Sequence, residues 1–239
     1  MMRKILITGN SSGLGLALTG WYLDHGWQVF GLSRRGCPLT HSNLIDQIGD
    51  LGCGKDLQGL LGQLRDTPFD LVILNAGLLG EIKLLRDTSM QELQEIMTVN
   101  VWANKVLLDD LLARTQVRQV VAISSGAAVN CNKGWGAYSL SKATLNALIK
   151  LYAAEHEQTH FTALAPGLVD TEMQEYLCNA VDSARYPAVK KLKAARGGPE
   201  MPTAAEAAKR VAQLICNLRS CRSGEFVDIR SLPNAVRTG

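Results

Sequence analysis

Short apolar runs and longer two-faced stretches alternate along this chain. The runs are rich in Val, Ile and Leu and predict strands at 4–8, 28–33, 44–47, 71–75, 119–124, 159–165 and 225–229. They are apolar nearly throughout rather than at every second position, as expected of strands covered by helices on both faces. The longer stretches predict helices at 14–25, 57–65, 90–113, 137–156 and 204–218. Strands that alternate with helices build βαβ units. Right-handed crossovers then give a single-domain, doubly wound α/β fold with a mainly parallel sheet of about seven strands. In such a sheet, ligands bind at the carboxyl ends of the strands.

One stretch breaks the rhythm. Residues 168–202 are polar, carry Lys190, Lys191, Lys193 and Arg196, and end in Gly197-Gly198-Pro199. The stretch begins just past a strand end, where a lid over the substrate would sit. It reads either as that lid or as a surface excursion with a basic, solvated face.

Composition narrows the function. The chain has 239 residues, 46% of them hydrophobic and 20% charged, enough for one core of good size. A net charge of +3 without a basic stripe excludes a nucleic-acid binder by composition. The apolar run after Met1-Met2-Arg3-Lys4 stops at Gly9, too early for a signal-peptide core or a membrane span. A cytoplasmic protein is expected, with no membrane partner. The six cysteines form no C-x-x-C pair, so reduced thiols without a metal role are expected. Cys131 lies near the candidate site and reads as an inert thiol or one exposed to substrate.

The first strand leads into Thr8-Gly9-Asn10-Ser11-Ser12-Gly13-Leu14-Gly15, which opens the first helix. Glycines at this spacing let the backbone turn tightly and approach a pyrophosphate, and the helix N-terminus offers its free N–H groups. The plainer reading is a glycine-rich turn without a ligand. At the end of the second strand, Ser33-Arg34-Arg35 carries no acid for a ribose 2′-hydroxyl but two cations suited to a 2′-phosphate. That favours NADP(H) over NAD(H), unless both arginines are ordinary loop charges.

Tyr138 and Lys142 stand four residues apart on a helix and share a face. A nearby ammonium would lower the pKa of the phenol and make it a usable acid–base group. Ser125 ends the strand before that helix and can reach the same substrate oxygen. Asn75-Ala76-Gly77 ends another strand with small residues a cofactor can lie against. Asn100 is a polar break inside an apolar helix, either a kink or a functional amide.

In this order and spacing, the chain resembles the short-chain dehydrogenase/reductase family over nearly its whole length. The resemblance implies a Rossmann fold. Asp50-Leu51 is similar to the family's adenine-contacting pair, and Asn75-Ala76-Gly77 to its N-A-G, with Leu74 in place of a preceding asparagine. Asn100, Ser125, Tyr138 and Lys142 match the catalytic tetrad. Pro166-Gly167, Val169 and Thr171 match a nicotinamide-side motif. Residues 135–138, 165–174 and 223–228 resemble the sepiapterin reductase and benzil reductase branch, NADPH-dependent reducers of vicinal dicarbonyls. There, Asp228 would be a substrate contact beside Ser125 and Tyr138. The implied reaction reduces a small ketone, aldehyde or vicinal diketone to the alcohol. Tyr138 gives the proton, Lys142 holds the ribose hydroxyls, and Asn100 positions a water. The resemblance also implies a homodimer or homotetramer formed through the helices at 90–113 and 137–156.

Two other functions remain open: an NAD-linked alcohol dehydrogenase, and a non-catalytic NADP-binding sensor or scaffold. His156-Glu157-Gln158-Thr159-His160 spells a zinc-protease motif. A helix is expected to end there and a strand to begin, so no metal is expected.

Overall fold

A computed structural model describes residues 2–64 and 66–232. Arg65, the expected last residue of the second helix, lies outside the described residues.

Seven strands form one parallel sheet: β1 (Lys4–Thr8), β2 (Gln28–Ser33), β3 (Leu44–Ile48), β4 (Leu71–Leu74), β5 (Gln119–Ile123), β6 (His160–Ala165) and β7 (Glu225–Asp228). Their spatial order is β3-β2-β1-β4-β5-β6-β7. The chain winds outward from β1 to β3, returns, and winds out the other way from β4. The reversal between β1 and β4 opens a crevice at the carboxyl edge of the sheet.

The apolar runs split by alternation. Ile5, Ile7, Val29, Ile73, Val121 and Leu164 point to one face and pack on α1 (Gly13–Asp24) and α9 (Ala204–Leu218). Leu6, Phe30, Val72, Val120, Ala122 and Phe161 point to the other. They meet α2 (Gly54–Gln63), α4 (Ala103–Arg114) and α6 (Gly136–Glu155). Two helical layers on one sheet explain why the central strands β1, β4, β5 and β6 are buried nearly throughout.

The expected helix at 90–113 is three pieces. α3 (Met90–Met97) and α4 are joined by a π-helical turn, Thr98–Trp102. The turn lies where Asn100, fully buried, donates its amide to the Leu78 carbonyl (2.8 Å) and the Ser141 hydroxyl (2.9 Å). Its Oδ1 accepts from the Leu78 N–H at 2.7 Å. The amide satisfies neighbouring backbone at the widened turn, an arrangement frequent at functional sites.

The stretch 168–202 also differs from the polar excursion the sequence describes. It holds two helices, α7 (Glu172–Ala180) and α8 (Pro187–Ala195). Leu177, Val181, Tyr186 and Val189 bury a third apolar cluster with Ile82 and Trp135. Its two ends are pinned together where Asp170 bridges Thr203 and its N–H donates to the Pro202 carbonyl at 2.9 Å. Between β5 and α6 lies the short α5 (Ala127–Asn130). Among the described residues, no helix is long and apolar enough to cross a membrane.

Candidate active site

The crevice is a cleft of about 1530 Å³. This exceeds the roughly 300–1,000 Å³ of common ligand pockets and leaves room for an extended cofactor beside a substrate. Every residue the sequence nominated lines it, apart from Gly15, Asn100 and Asp228.

At one end the chain turns from β1 into α1. Gly9 has φ +72° and Gly13 φ +55°, values that favour glycine. A Cβ on Gly9 would lie 2.8 Å from the Ala76 Cα. One on Gly15 would run into the Gly9 carbonyl and the Asn75 amide. Gly15 therefore serves packing beneath the loop. Thr8, at the head of the loop, is fully buried. Its hydroxyl accepts from the Asn75 and Ala76 N–H groups at 3.0 and 3.1 Å and ties the glycine loop to the end of β4. The Ser12 side chain does not cap α1. It accepts from Arg35 at 3.1 Å. The first N–H groups of α1 are thus left for an anion.

Arg34 and Arg35 stand exposed at the end of β2 on the same cleft, which half-buried Asp50 and buried Leu51 also line after β3. An uncapped helix start, glycines that would clash if given a side chain, and two arginines at the far end fit a phosphate-rich dinucleotide.

At the chemical end, Ser125 follows β5 and Tyr138 stands in the first turn of α6. Both line the cleft, with Ser125 close enough to the Tyr138 hydroxyl to act on it. The Ser125 oxygen accepts from the Ala127 N–H at 3.1 Å, which fixes its direction. Lys142, one turn along, is buried, and its Nζ donates to the Ile123 carbonyl at 2.7 Å. Asn100 braces this group from behind through Ser141, whose hydroxyl donates to the Tyr138 carbonyl at 2.8 Å. Its own carbonyl accepts from Asn104 at 2.8 Å. The asparagine therefore holds α6 against the 78–79 backbone, and its amide is used within the protein.

The electrostatics depart from expectation. Lys142 was expected to pull the phenol pKa down. Instead, burial pushes the Tyr138 hydroxyl above its usual value, and the neighbouring Ser125 only opposes this. The ammonium lies 5.7 Å from the Tyr138 ring centre and is anchored to the Ile123 carbonyl. Desolvation dominates because Lys142 is buried and Tyr138 half-buried among protein atoms. The same burial lowers Lys142 from 10.5 to about 8.

A depressed folded-state value means that the unfolded chain binds the proton more readily. The contribution of Lys142 to stability therefore rises as pH climbs from about 8 towards 10.5. If the reaction uses the ammonium, kcat/KM falls as pH rises through about 8. A pH–rate profile checks this, and a flat alkaline limb would show that the charge is not used.

Asp228 does not line the cleft. Its carboxylate takes Nε and Nη2 of Arg230 at 2.9 and 2.6 Å, and the Arg230 side chain lines the cleft instead. No sequence signal marked Arg230. Leu177, Ala188, Lys191 and Leu192, on the inner face of α7 and α8, also line the cleft, within the segment that the sequence offers as a lid. Cys131 is exposed with φ +46° and is not a lining residue, although Asn130 and Asn132 are. His156 caps the end of α6 while His160 opens β6, so the two share no helix face. Among the described residues, no group of three His, Cys, Asp or Glu could hold a metal ion.

Comparison with known proteins agrees with this geometry. Residues 3–181 match the family model described as short chain dehydrogenase. A benzil reductase ((S)-benzoin forming) of Bacillus subtilis is 34% identical over 188 residues, 72% of this chain and 77% of that one. A sepiapterin reductase of Bos taurus is 31% identical over 153 residues, 59% of this chain and 57% of that one. The crystal structure of a short chain dehydrogenase/reductase from Saccharomyces cerevisiae superposes with a TM-score of 0.82. It is 22% identical and covers 98% of both chains. The chain is an oxidoreductase that belongs to the short chain dehydrogenase family, which binds NAD(P)(H), on the side of the benzil and sepiapterin reductases.

Proposed function

We propose that the protein reduces a small carbonyl compound, a ketone, aldehyde or vicinal diketone, to the alcohol at the expense of NADPH. The observation that carries this reading is the placing of Ser125 and Tyr138 together on the cleft, with buried Lys142 one turn along α6. Two hydroxyls converging on one point can hold a carbonyl oxygen and stabilise the charge that grows on it. Tyr138, kept as a neutral phenol by burial, is in the state a proton donor requires. NADPH, when bound, supplies the hydride. Ser125 orients the carbonyl, Tyr138 delivers the proton to its oxygen, and Lys142 offers its ammonium to the ribose hydroxyls. Tyr138 and Lys142 together argue against a mere sensor or scaffold.

Val169 and Thr171, with Pro166-Gly167, line the cleft just past β6, where they fit the nicotinamide side. The segment 168–202 serves as the substrate lid. Its inner face is mostly apolar, which suits aryl or alkyl groups flanking a carbonyl. Asp228 would bear on the substrate through Arg230.

The preference for NADPH rests on Arg34 and Arg35 and on the absence of an acid at the end of β2. Removing a charged partner of a phosphate costs about 1.5–3 kcal/mol. Arg34→Ala should therefore raise KM for NADPH by roughly 10- to 100-fold and leave KM for NADH nearly unchanged. Steady-state assays with both cofactors against a panel of diketones and aldehydes test the reading. Equal sensitivity to the two cofactors would remove the argument for NADPH.

Self-association fits the apolar side chains left exposed on the helices expected to pair. Trp102 and Val106 lie at the start of α4, and Leu140 and Leu151 on α6. The six separate thiols fit a reducing cytoplasm.

A further inference from the structure

We propose that Asp46 is a positioning residue for cofactor selection: its carboxylate ties the glycine loop to the arginine loop and so sets the preference for a 2′-phosphate. This rests on the NADPH reading above and adds a residue that does not itself line the cleft.

Asp46 sits in the middle of β3, opposite Gly31 of β2. Gly31 leaves a hole in the sheet face. A Cβ there would collide with both the Asn10 amide and an Asp46 oxygen. Asn10 reaches into that space from the glycine loop and is fully buried. Its Nδ2 donates to Asp46 Oδ1 at 2.7 Å. The second oxygen, Oδ2, accepts from the Cys37 N–H at 2.6 Å. Gly36 turns the chain there with φ +76°, and a Cβ on it would lie 3.3 Å from Asp46 Oδ2. One carboxylate thus holds two segments from opposite sides. The first carries the pyrophosphate loop. The second begins directly after Arg34 and Arg35.

The acid type matters. A carboxylate accepts from two donors at once, and bonds to a charged acceptor are stronger than neutral ones. With Ser33 fixed in β2 and Cys37 fixed by Asp46, the intervening arginines are presented from a short, anchored loop. Arg35 crosses back to Ser12, which closes the circuit between the two loops. Anchoring lowers the ordering cost of gripping a phosphate. NADH offers no 2′-phosphate, so its binding should gain far less from the anchor.

The test is the ratio of kcat/KM for NADPH to that for NADH, measured with the wild type and variants of matched thermal stability. Asp46→Ala is expected to lower the ratio roughly tenfold through KM for NADPH, with kcat held. Asp46→Asn should keep the ratio within about twofold, because a turned Asn10 amide can accept from the new amide while its carbonyl takes the Cys37 N–H. Asn10→Ala cuts the tie from the other side and should move the ratio in the same direction, which covers the case of Asp46→Ala failing to fold. Equal losses for both cofactors, or an unchanged ratio, would overturn the role of Asp46 alone. A wild-type ratio near one would overturn the NADPH reading, and this proposal with it.

Discussion

Tyr138→Phe is expected to lower turnover by roughly two to four orders of magnitude while NADPH binding is retained. The hydroxyl is the only group the substitution removes. The ring stays where it packs, against the apolar cluster that includes Trp135 and Leu79. Ser125 keeps the Ala127 N–H, so its direction holds. Lys142 keeps the Ile123 carbonyl. The loss should therefore appear in kcat with the carbonyl substrate and be absent from calorimetric binding of NADPH. Turnover within a fewfold of wild type would remove Tyr138 from the reaction.

The second large effect contrasts two glycines five positions apart on α1. Gly15→Ala places a methyl group against the Gly9 carbonyl and the Asn75 amide. The first obstacle is backbone, in a loop that Thr8 and Asn75 hold by several hydrogen bonds, so it cannot yield cheaply. Overpacking of this kind costs about 1–3 kcal/mol, several degrees in Tm for a chain of this size. The displaced loop should also lose its grip on the cofactor. Gly20→Ala meets nothing nearer than the Leu39 Cδ1 at 3.6 Å. In a helix interior it should gain about 0.5–1 kcal/mol. Thermal melts of both variants, with and without NADPH, check the pair. Equal effects at the two positions would mean that the loop is not as tightly packed as described.

The strands were legible because burial on both faces leaves a plain mark, a run of Val, Ile and Leu with no polar alternation. The site residues were legible for a related reason. Strand ends, a glycine loop and a Tyr–Lys spacing are local in sequence, and the topology gathers local marks to one edge. What escaped was non-local. The π-helical turn depends on Asn100 finding Leu78 and Ser141, and nothing within 98–102 announces those partners. The helices α7 and α8 each bury few apolar residues, among them Leu177 and Val189, against a cluster supplied by Ile82 and Trp135. Their own stretch therefore reads as polar. Asp46 lies one strand away from the place where an acid is sought, and its meaning comes from a gap that Gly31 leaves on the neighbouring strand. The direction of the Tyr138 shift was missed because desolvation is a property of the folded pocket, whereas the spacing of Tyr and Lys displays only the charge.

Hydride transfer itself is the most direct test of the central claim. NADPH carrying deuterium at the transferable position is incubated with the wild-type protein and a vicinal diketone, and the product alcohol is examined by mass spectrometry. The account predicts one deuterium on the new carbinol carbon, with NADPH consumed in equal measure, and almost none with Tyr138→Phe. NADPH that binds tightly yet is consumed with no ketone, aldehyde or diketone would contradict it and leave a cofactor-binding protein without the reaction.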